Sequence, residues 1–170
     1  MKNIYLIGFM GTGKSTISKL LANKLGLKAA EMDALIEEKQ GMPIADIFDK
    51  YGEPYFRDLE TNVVRELSET KDMVVSCGGG TVLRMENVDM MRNSGTVILL
   101  EASPAEVLRR VSHSTARPLL NGHMNEQYIA DLMNRRRPAY EAAAEERILT
   151  DGCPPEEVAT LIATCIRRRS

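Results

Sequence analysis

Gly8-Phe9-Met10-Gly11-Thr12-Gly13-Lys14-Ser15 has the spacing G-x-x-x-x-G-K-S of a Walker A phosphate loop. Glycines at these positions let the backbone curl until successive N–H groups converge on an anion. Lys14 then reaches the β- and γ-phosphates, and the Ser15 hydroxyl is left for Mg²⁺. The helical pattern that follows adds the positive end of its dipole to the same anion. A nucleoside triphosphate bound near the N-terminus is the first expectation. Phosphoryl transfer also needs a carboxylate near the metal, and Glu31 and Asp33 are the candidates. Read as the end of a strand, they face the same side, one toward the metal's water and one toward an acceptor hydroxyl. Glu101, closing the apolar run Val97-Ile98-Leu99-Leu100, is a weaker alternative, because the helix start that follows it already explains an acidic residue. Ser76, which closes Met73-Val74-Val75, has no carboxylate to offer.

Arginines supply the remaining charge. Arg57 stands near the start of a helical pattern, where a cation opposes the dipole, and this local penalty calls for a compensating anion. Arg136 lies in the run Arg135-Arg136-Arg137, of which at least one member reads as solvated surface. Two arginines facing one pocket would imply an acceptor with a carboxylate, since the guanidinium fork binds that group bidentately. Between Ser112 and Met124 the apolar periodicity disappears, and the stretch reads as a mobile lid. Its Arg117 is a candidate to close over the phosphates; the plainer reading is an exposed loop arginine. His113 and His123 lack metal-ligand spacing and receive no role.

The elements needed to hold these groups are legible as alternating strands and helices. Ile4 to Ile7 is apolar at consecutive positions, as in a strand buried on both faces of a parallel sheet. A helix over Lys14 to Leu25 is capped by Gly26, and the extended piece Lys28-Ala29-Ala30 delivers Glu31. Short helices over 34–39 and 44–50 precede a long one over 53–68, with Phe56, Leu59, Val63, Val64 and Leu67 inward. The strand at Met73-Val74-Val75 ends in Ser76-Cys77-Gly78-Gly79-Gly80, and open α/β sheets bind ligands at that edge. A helix near 86–92 and the strand 96–100 follow. Ser103-Pro104-Ala105-Glu106 reads as a capping box, with proline at the first helical position. A helix over 126–144, interrupted near Pro138, a short strand at Ile148-Leu149, and a final helix over 155–168 with Val158, Leu161, Ile162 and Cys165 inward complete the chain. The expectation is one α/β domain over residues 1–170, three layers deep.

Composition bounds the partners. At 170 residues the chain suits one domain, so the acceptor site shares it with the nucleotide. With 22 basic and 24 acidic residues the net charge is −2, which provides no field to hold nucleic acid or an anionic membrane. Cys77, Cys153 and Cys165 form no C-x-x-C and leave an odd count, as suits a reducing compartment. The apolar stretch after Met1 is too short for a signal-peptide core, and no run is long enough to span a bilayer. The chain is read as cytoplasmic and monomeric, with a small-molecule partner.

Taken together, Gly8 to Ser15, Glu31-Met32-Asp33, Phe56-Arg57-Asp58-Leu59-Glu60, Gly78-Gly79-Gly80, Thr115-Ala116-Arg117-Pro118-Leu119-Leu120 and Arg136-Arg137-Pro138-Ala139-Tyr140 resemble shikimate kinase in order and register. The resemblance covers nearly the whole chain. It implies a P-loop fold like that of nucleoside monophosphate kinases, with a five-stranded parallel sheet, helices on both faces, an acceptor segment at about 33–61 and a lid at about 112–124. It also implies transfer of the ATP γ-phosphate to the 3-hydroxyl of shikimate, in the route to chorismate and the aromatic amino acids. Carried over by position, Gly11, Thr12, Gly13, Lys14, Ser15 and Thr16 hold the phosphates, and Ser15 holds Mg²⁺. Asp33 orients the acceptor hydroxyl. Arg57 and Arg136 grip its carboxylate, with Gly79 and Gly80 beside it. Arg117 closes onto the phosphates, and Arg110 and Pro155 sandwich adenine.

The family pattern has Asp-x-Asp where this chain has Glu31-Met32-Asp33, so activity with an altered metal shell is expected. Rival readings are another small P-loop kinase acting on gluconate or a nucleotide, and a non-catalytic ATP-sensing module. Against the first stands the pairing of Arg57 and Arg136 with a triple-glycine loop. Against the second stands the retention of Asp33, Arg57 and Arg117.

Overall fold

The computed structural model describes residues 1–112 and 125–170. Strands β1 (Asn3–Ile7), β2 (Lys28–Glu31), β3 (Met73–Ser76), β4 (Gly95–Glu101) and β5 (Glu146–Leu149) form one sheet in the order β2-β3-β1-β4-β5. Every pairing is parallel, with Leu6 of β1 opposite Ser76 of β3 and Ile98 of β4. All of β1 is buried, as its unbroken apolar run requires. Its side chains alternate between the sheet's faces. Ile4 and Leu6 join Val74, Ile98 and Leu100 in one core, while Tyr5 and Ile7 join Val75, Val97 and Leu99 in the other.

The first core is covered by α1 (Lys14–Leu25) and α8 (Pro155–Arg169). The second is covered by α2 (Met32–Gln40), α3 (Ile44–Tyr51), α4 (Glu53–Ser68), α5 (Met85–Ser94), α6 (Pro104–Val111) and α7 (Glu126–Ala143). Burying each Leu or Ile of these layers contributes about 1.5–3 kcal/mol, so the layers are cemented by the same residues that define the strands. β1 ends beside β3 on one side and β4 on the other. The chain crosses between those two flanks after β3, which places a crevice at the carboxyl end of β1. The Walker A loop opens there.

Four local expectations need correction. Asp33 is not on a strand: β2 stops at Glu31, and Asp33 sits in the first turn of α2. Pro138 lies inside an unbroken α7. The carbonyl it strands belongs to Asn134, and both residues are exposed, so solvent can take that group while Arg136 and Tyr140 anchor the buried face. In α8 the inward set is Val158, Ala159, Ile162, Ala163 and Ile166, with Leu161 half exposed. The alanines at 159 and 163 share the core with Val158, Ile162 and Ile166, so the buried face of α8 is centred between them and not on Leu161. Finally, Ser103 caps α6 by accepting from the Glu106 N–H, but the reciprocal bond of a capping box is replaced. The Ser103 N–H donates to Asp151 Oδ1, and the Glu106 carboxylate takes Arg109 and Arg110.

Candidate active site

The phosphate loop connects β1 to α1. Gly13 precedes the helix with φ 94°, a left-handed conformation that glycine adopts without steric cost. Lys14 is buried, and its Nζ donates to the carbonyl oxygens of Gly8 (2.8 Å) and Phe9 (2.9 Å), which holds the ammonium inside the curl of the loop. The Ser15 hydroxyl donates to Glu31 Oε1 at 2.8 Å, and the Ser76 hydroxyl donates to the same oxygen at 3.3 Å. Adjacent β2 and β3, paired Glu31 to Ser76, bring these groups together.

A cavity of about 600 Å³ extends from this loop between α6 and the start of α8. On its rim Arg110 is fixed from several directions. Its Nε meets Glu106 (2.8 Å), and one terminal nitrogen reaches the Gly11 carbonyl (3.1 Å) and Thr150 Oγ1 (3.2 Å). Hydrogen bonds from Arg109, with those from Arg110, outweigh desolvation and lower the Glu106 pKa to about 2. Pro155 and Cys153 line the same cavity.

A second cavity, of about 370 Å³, lies beside the first and is bounded by α2, α3, α4 and the glycine turn after β3. The two share Met10, Glu31, Asp33, Gly78 and Gly79, so Asp33 stands at their junction. Arg57 and Arg136 both line the second cavity. Both guanidiniums pack against this turn, Arg57 the more tightly. A Cβ on Gly80 would come within 2.6 Å of Arg57 Cζ, and one on Gly79 within 3.2 Å of an Arg136 nitrogen.

The two guanidiniums are held differently. Arg57 binds Glu60 (2.6 Å) and Glu53 (2.9 Å), both on its own helix, with Phe56 at 5.3 Å. Burial alone would lower its pKa, but these two carboxylates outweigh that and raise it. They are the compensating anions that its position near the helix start calls for. Its buried Nε still has no hydrogen-bond partner among the described residues. Arg136 is only 5% exposed and lies 5.7 Å from the Phe9 ring, and no carboxylate of the described residues forms an ion pair with it. Burying a cation without a counter-charge is costly. Arg136 thus brings to the second cavity a positive charge that no carboxylate of the described residues pairs with. Arg135 and Arg137, its neighbours in sequence, are exposed.

The shikimate kinase family model matches residues 10–167. The chain belongs to the shikimate kinase family. It is 44% identical over 162 residues to a shikimate kinase of Thermodesulfovibrio yellowstonii, covering 95% of this chain and 93% of that one. It is 45% identical over 166 residues to one of Geobacter sulfurreducens, covering 98% and 91%. A shikimate kinase from Acinetobacter baumannii, solved in complex with shikimate, superposes with a TM-score of 0.96 at 35% identity, over 100% of this chain and 95% of that one. The five-stranded parallel sheet with helices on both faces is the fold of this family.

For a shikimate kinase, the positions expected from sequence fall into the two cavities as follows. Gly11, Thr12, Gly13, Lys14, Ser15, Thr16, Arg110 and Pro155 line the first, Arg57, Gly80 and Arg136 the second, and Asp33, Glu31 and Gly79 both. Arg117, His113 and His123, with nearly all of the proposed lid at 112–124, lie outside the described residues. Glu101, the alternative carboxylate, pairs with Arg147 at 2.7 Å and lines neither cavity among the described residues. Sequence reasoning gave no role to Glu60, which is fully buried and accepts from both Arg57 and the Thr81 hydroxyl (2.9 Å). A signal was present: Glu60 is a carboxylate on the inward stripe of α4, between Phe56 and Val63.

Proposed function

We propose that the larger cavity binds ATP and the smaller one shikimate, and that this enzyme transfers the γ-phosphate of ATP to the shikimate 3-hydroxyl. The observation that carries the acceptor assignment is the buried Arg136, which pairs with no carboxylate of the described residues, beside Arg57 in a cavity that meets the nucleotide cavity at Asp33. A compact carboxylate satisfies Arg136, and Arg57 lines the same cavity beside it. Asp33 then lies where the acceptor hydroxyl meets the phosphate and takes or orients its proton. Lys14 and the loop N–H groups neutralise the phosphates, Arg117 is assigned to them from the family motif, and the planar Arg110 with Pro155 receives the adenine.

Mg²⁺ suits the oxygen-only set offered by Ser15 and Glu31, since this ion keeps several waters and takes few protein ligands. When bound, it neutralises charge on the β- and γ-phosphates. Ser15 would hold it directly, and Glu31 would hold the hydroxyl of Ser15 or a water of the metal shell. Glu31→Gln is therefore expected to raise the Mg²⁺ concentration for half-maximal activity by about 10-fold, read from initial rates across a Mg²⁺ titration. An unchanged curve would remove Glu31 from the metal's surroundings.

Residues 1–170 act as one kinase domain, with the acceptor segment at 33–61 and the lid at 112–124. One chain lines both cavities, which supports a monomer. No helix of the described residues is long and apolar enough to cross a membrane, and the free cysteines fit a cytoplasmic enzyme. The charge balance speaks against a nucleic-acid partner. The reaction is tested by ADP release with ATP and Mg²⁺ in parallel with shikimate, gluconate, AMP or no acceptor. Release dependent on shikimate alone is expected. Release with another acceptor would overturn the substrate while keeping the kinase fold.

A further inference from the structure

Arg57 is steered by a carboxylate that is itself held from a second side. Glu60, fully buried, divides its oxygens between two donors: Oε1 accepts from Arg57 Nη1 (2.6 Å) and Oε2 from the Thr81 hydroxyl (2.9 Å). Thr81 opens the single 3-10 turn Thr81–Leu83 and is also fully buried. Its N–H donates to the Gly78 carbonyl (3.2 Å), closing the glycine turn, and its own carbonyl accepts from Asn87 Nδ2 of α5 (2.9 Å). The backbone that carries the hydroxyl is therefore fixed from both directions. The Met32 sulfur, 4.0 Å from the same hydroxyl, is a weak acceptor, so the one hydroxyl proton is directed to Glu60.

We propose that Thr81 is a positioning residue for the acceptor: its hydroxyl holds the Glu60 carboxylate in the orientation from which Glu60 directs the Arg57 guanidinium along the second cavity. A carboxylate is a rigid planar fork, so anchoring Oε2 at Thr81 also places Oε1, and with it Arg57 Nη1. The other carboxylate on Arg57 cannot set that direction as firmly. The Glu53 side chain is 46% exposed and shares its oxygens with solvent, whereas that of Glu60 is 1% exposed. The glycine turn packs against both members of the buried pair. A Cβ at Gly78 would stand 2.5 Å from Glu60 Oε2, and Gly80 backs onto the Arg57 guanidinium. Through Thr81 the acceptor-cavity arginine is thus held in register with the turn that both cavities share.

This inference rests on the reading in which Arg57 and Arg136 face the acceptor's charge. It is tested with Thr81→Val, which keeps the branched shape and replaces the hydroxyl by a methyl group. Glu60 Oε2 is then left without its donor where solvent does not reach, and the carboxylate turns both oxygens toward Arg57. The shikimate KM, and the shikimate Kd by calorimetry, should rise roughly 10-fold, the size of one charge-assisted hydrogen bond, while the ATP Kd stays within about twofold. The methyl ester of shikimate should lose less than the acid, because it brings no charge for Arg57 to meet. Thr81→Ser, which keeps the hydroxyl, should bind shikimate as the unaltered enzyme does. An unchanged shikimate Kd in Thr81→Val, parallel weakening of ATP and shikimate, equal losses for acid and ester, or a Thr81→Ser variant as weak as Thr81→Val would each overturn it. Loss of the fold in Thr81→Val would also overturn it, by assigning the hydroxyl to stability. Failure of the unaltered enzyme to bind shikimate would overturn the acceptor assignment, and this inference with it.

Discussion

Asp33→Asn is expected to lower kcat by about 10²–10⁴, the range supplied by a positioned proton acceptor, with ATP affinity unchanged. Asp33 is the only carboxylate besides Glu31 that lines both cavities among the described residues, and Glu31 is already engaged by the hydroxyls of Ser15 and Ser76. Asparagine has nearly the same shape and can still accept a hydrogen bond, so the acceptor alcohol would remain oriented but could not pass on its proton. Substrate binding should survive. Single-turnover measurement of shikimate 3-phosphate, alongside ATP titration, checks both halves of the expectation. A variant that retains nearly full kcat would place the proton's destination elsewhere, in solvent or on the phosphate itself.

Arg136→Ala should weaken shikimate binding by about 10–150-fold. The lost interaction is a charge-assisted one worth roughly 1.5–3 kcal/mol, converted by the ordinary relation between free energy and affinity. ATP affinity should change little, because Arg136 lines only the acceptor cavity among the two. The fold should survive as well. Removing a buried guanidinium that no carboxylate of the described residues balances relieves a desolvation cost in the unliganded protein, in contrast to breaking the Arg57–Glu60 pair, which would leave a buried carboxylate behind. Calorimetric titration with each substrate separates the outcomes. Equal weakening of both would assign Arg136 to the general integrity of the site.

Much of this site was legible in the sequence because local rules and tertiary structure agree there. The Walker A spacing needs only a strand before it and a helix after it, and Ile4 to Ile7 and Lys14 to Leu25 satisfy both. The triple glycine was legible as the ligand-binding edge at the end of a strand, but not as the turn against which a guanidinium packs. Gly80 backs directly onto the Arg57 guanidinium, a packing that no local pattern announces.

Where the reading missed, a longer-range contact decided. Asp33 belongs to a helix because β2 ends where its pairing with Ser76 ends. Pro138 does not break α7 because the carbonyl it strands faces solvent. The inward face of α8 includes Ala159 and Ala163 in place of Leu161, which a ranking by side-chain hydrophobicity does not anticipate. Glu60 escaped assignment because its partner Thr81 lies on a turn remote in sequence.

The most direct measurement compares shikimate with its methyl ester as acceptors in the same ADP-release assay, since the ester keeps the ring and all hydroxyls and replaces the anionic carboxylate with a neutral group one methyl larger. If Arg136 and Arg57 form a carboxylate site, the ester should lose roughly 10–150-fold in kcat/KM, and Arg136→Ala should narrow the gap between the two acceptors. Equal turnover of ester and acid would contradict the account, because the buried guanidiniums would then serve something other than the acceptor's charge.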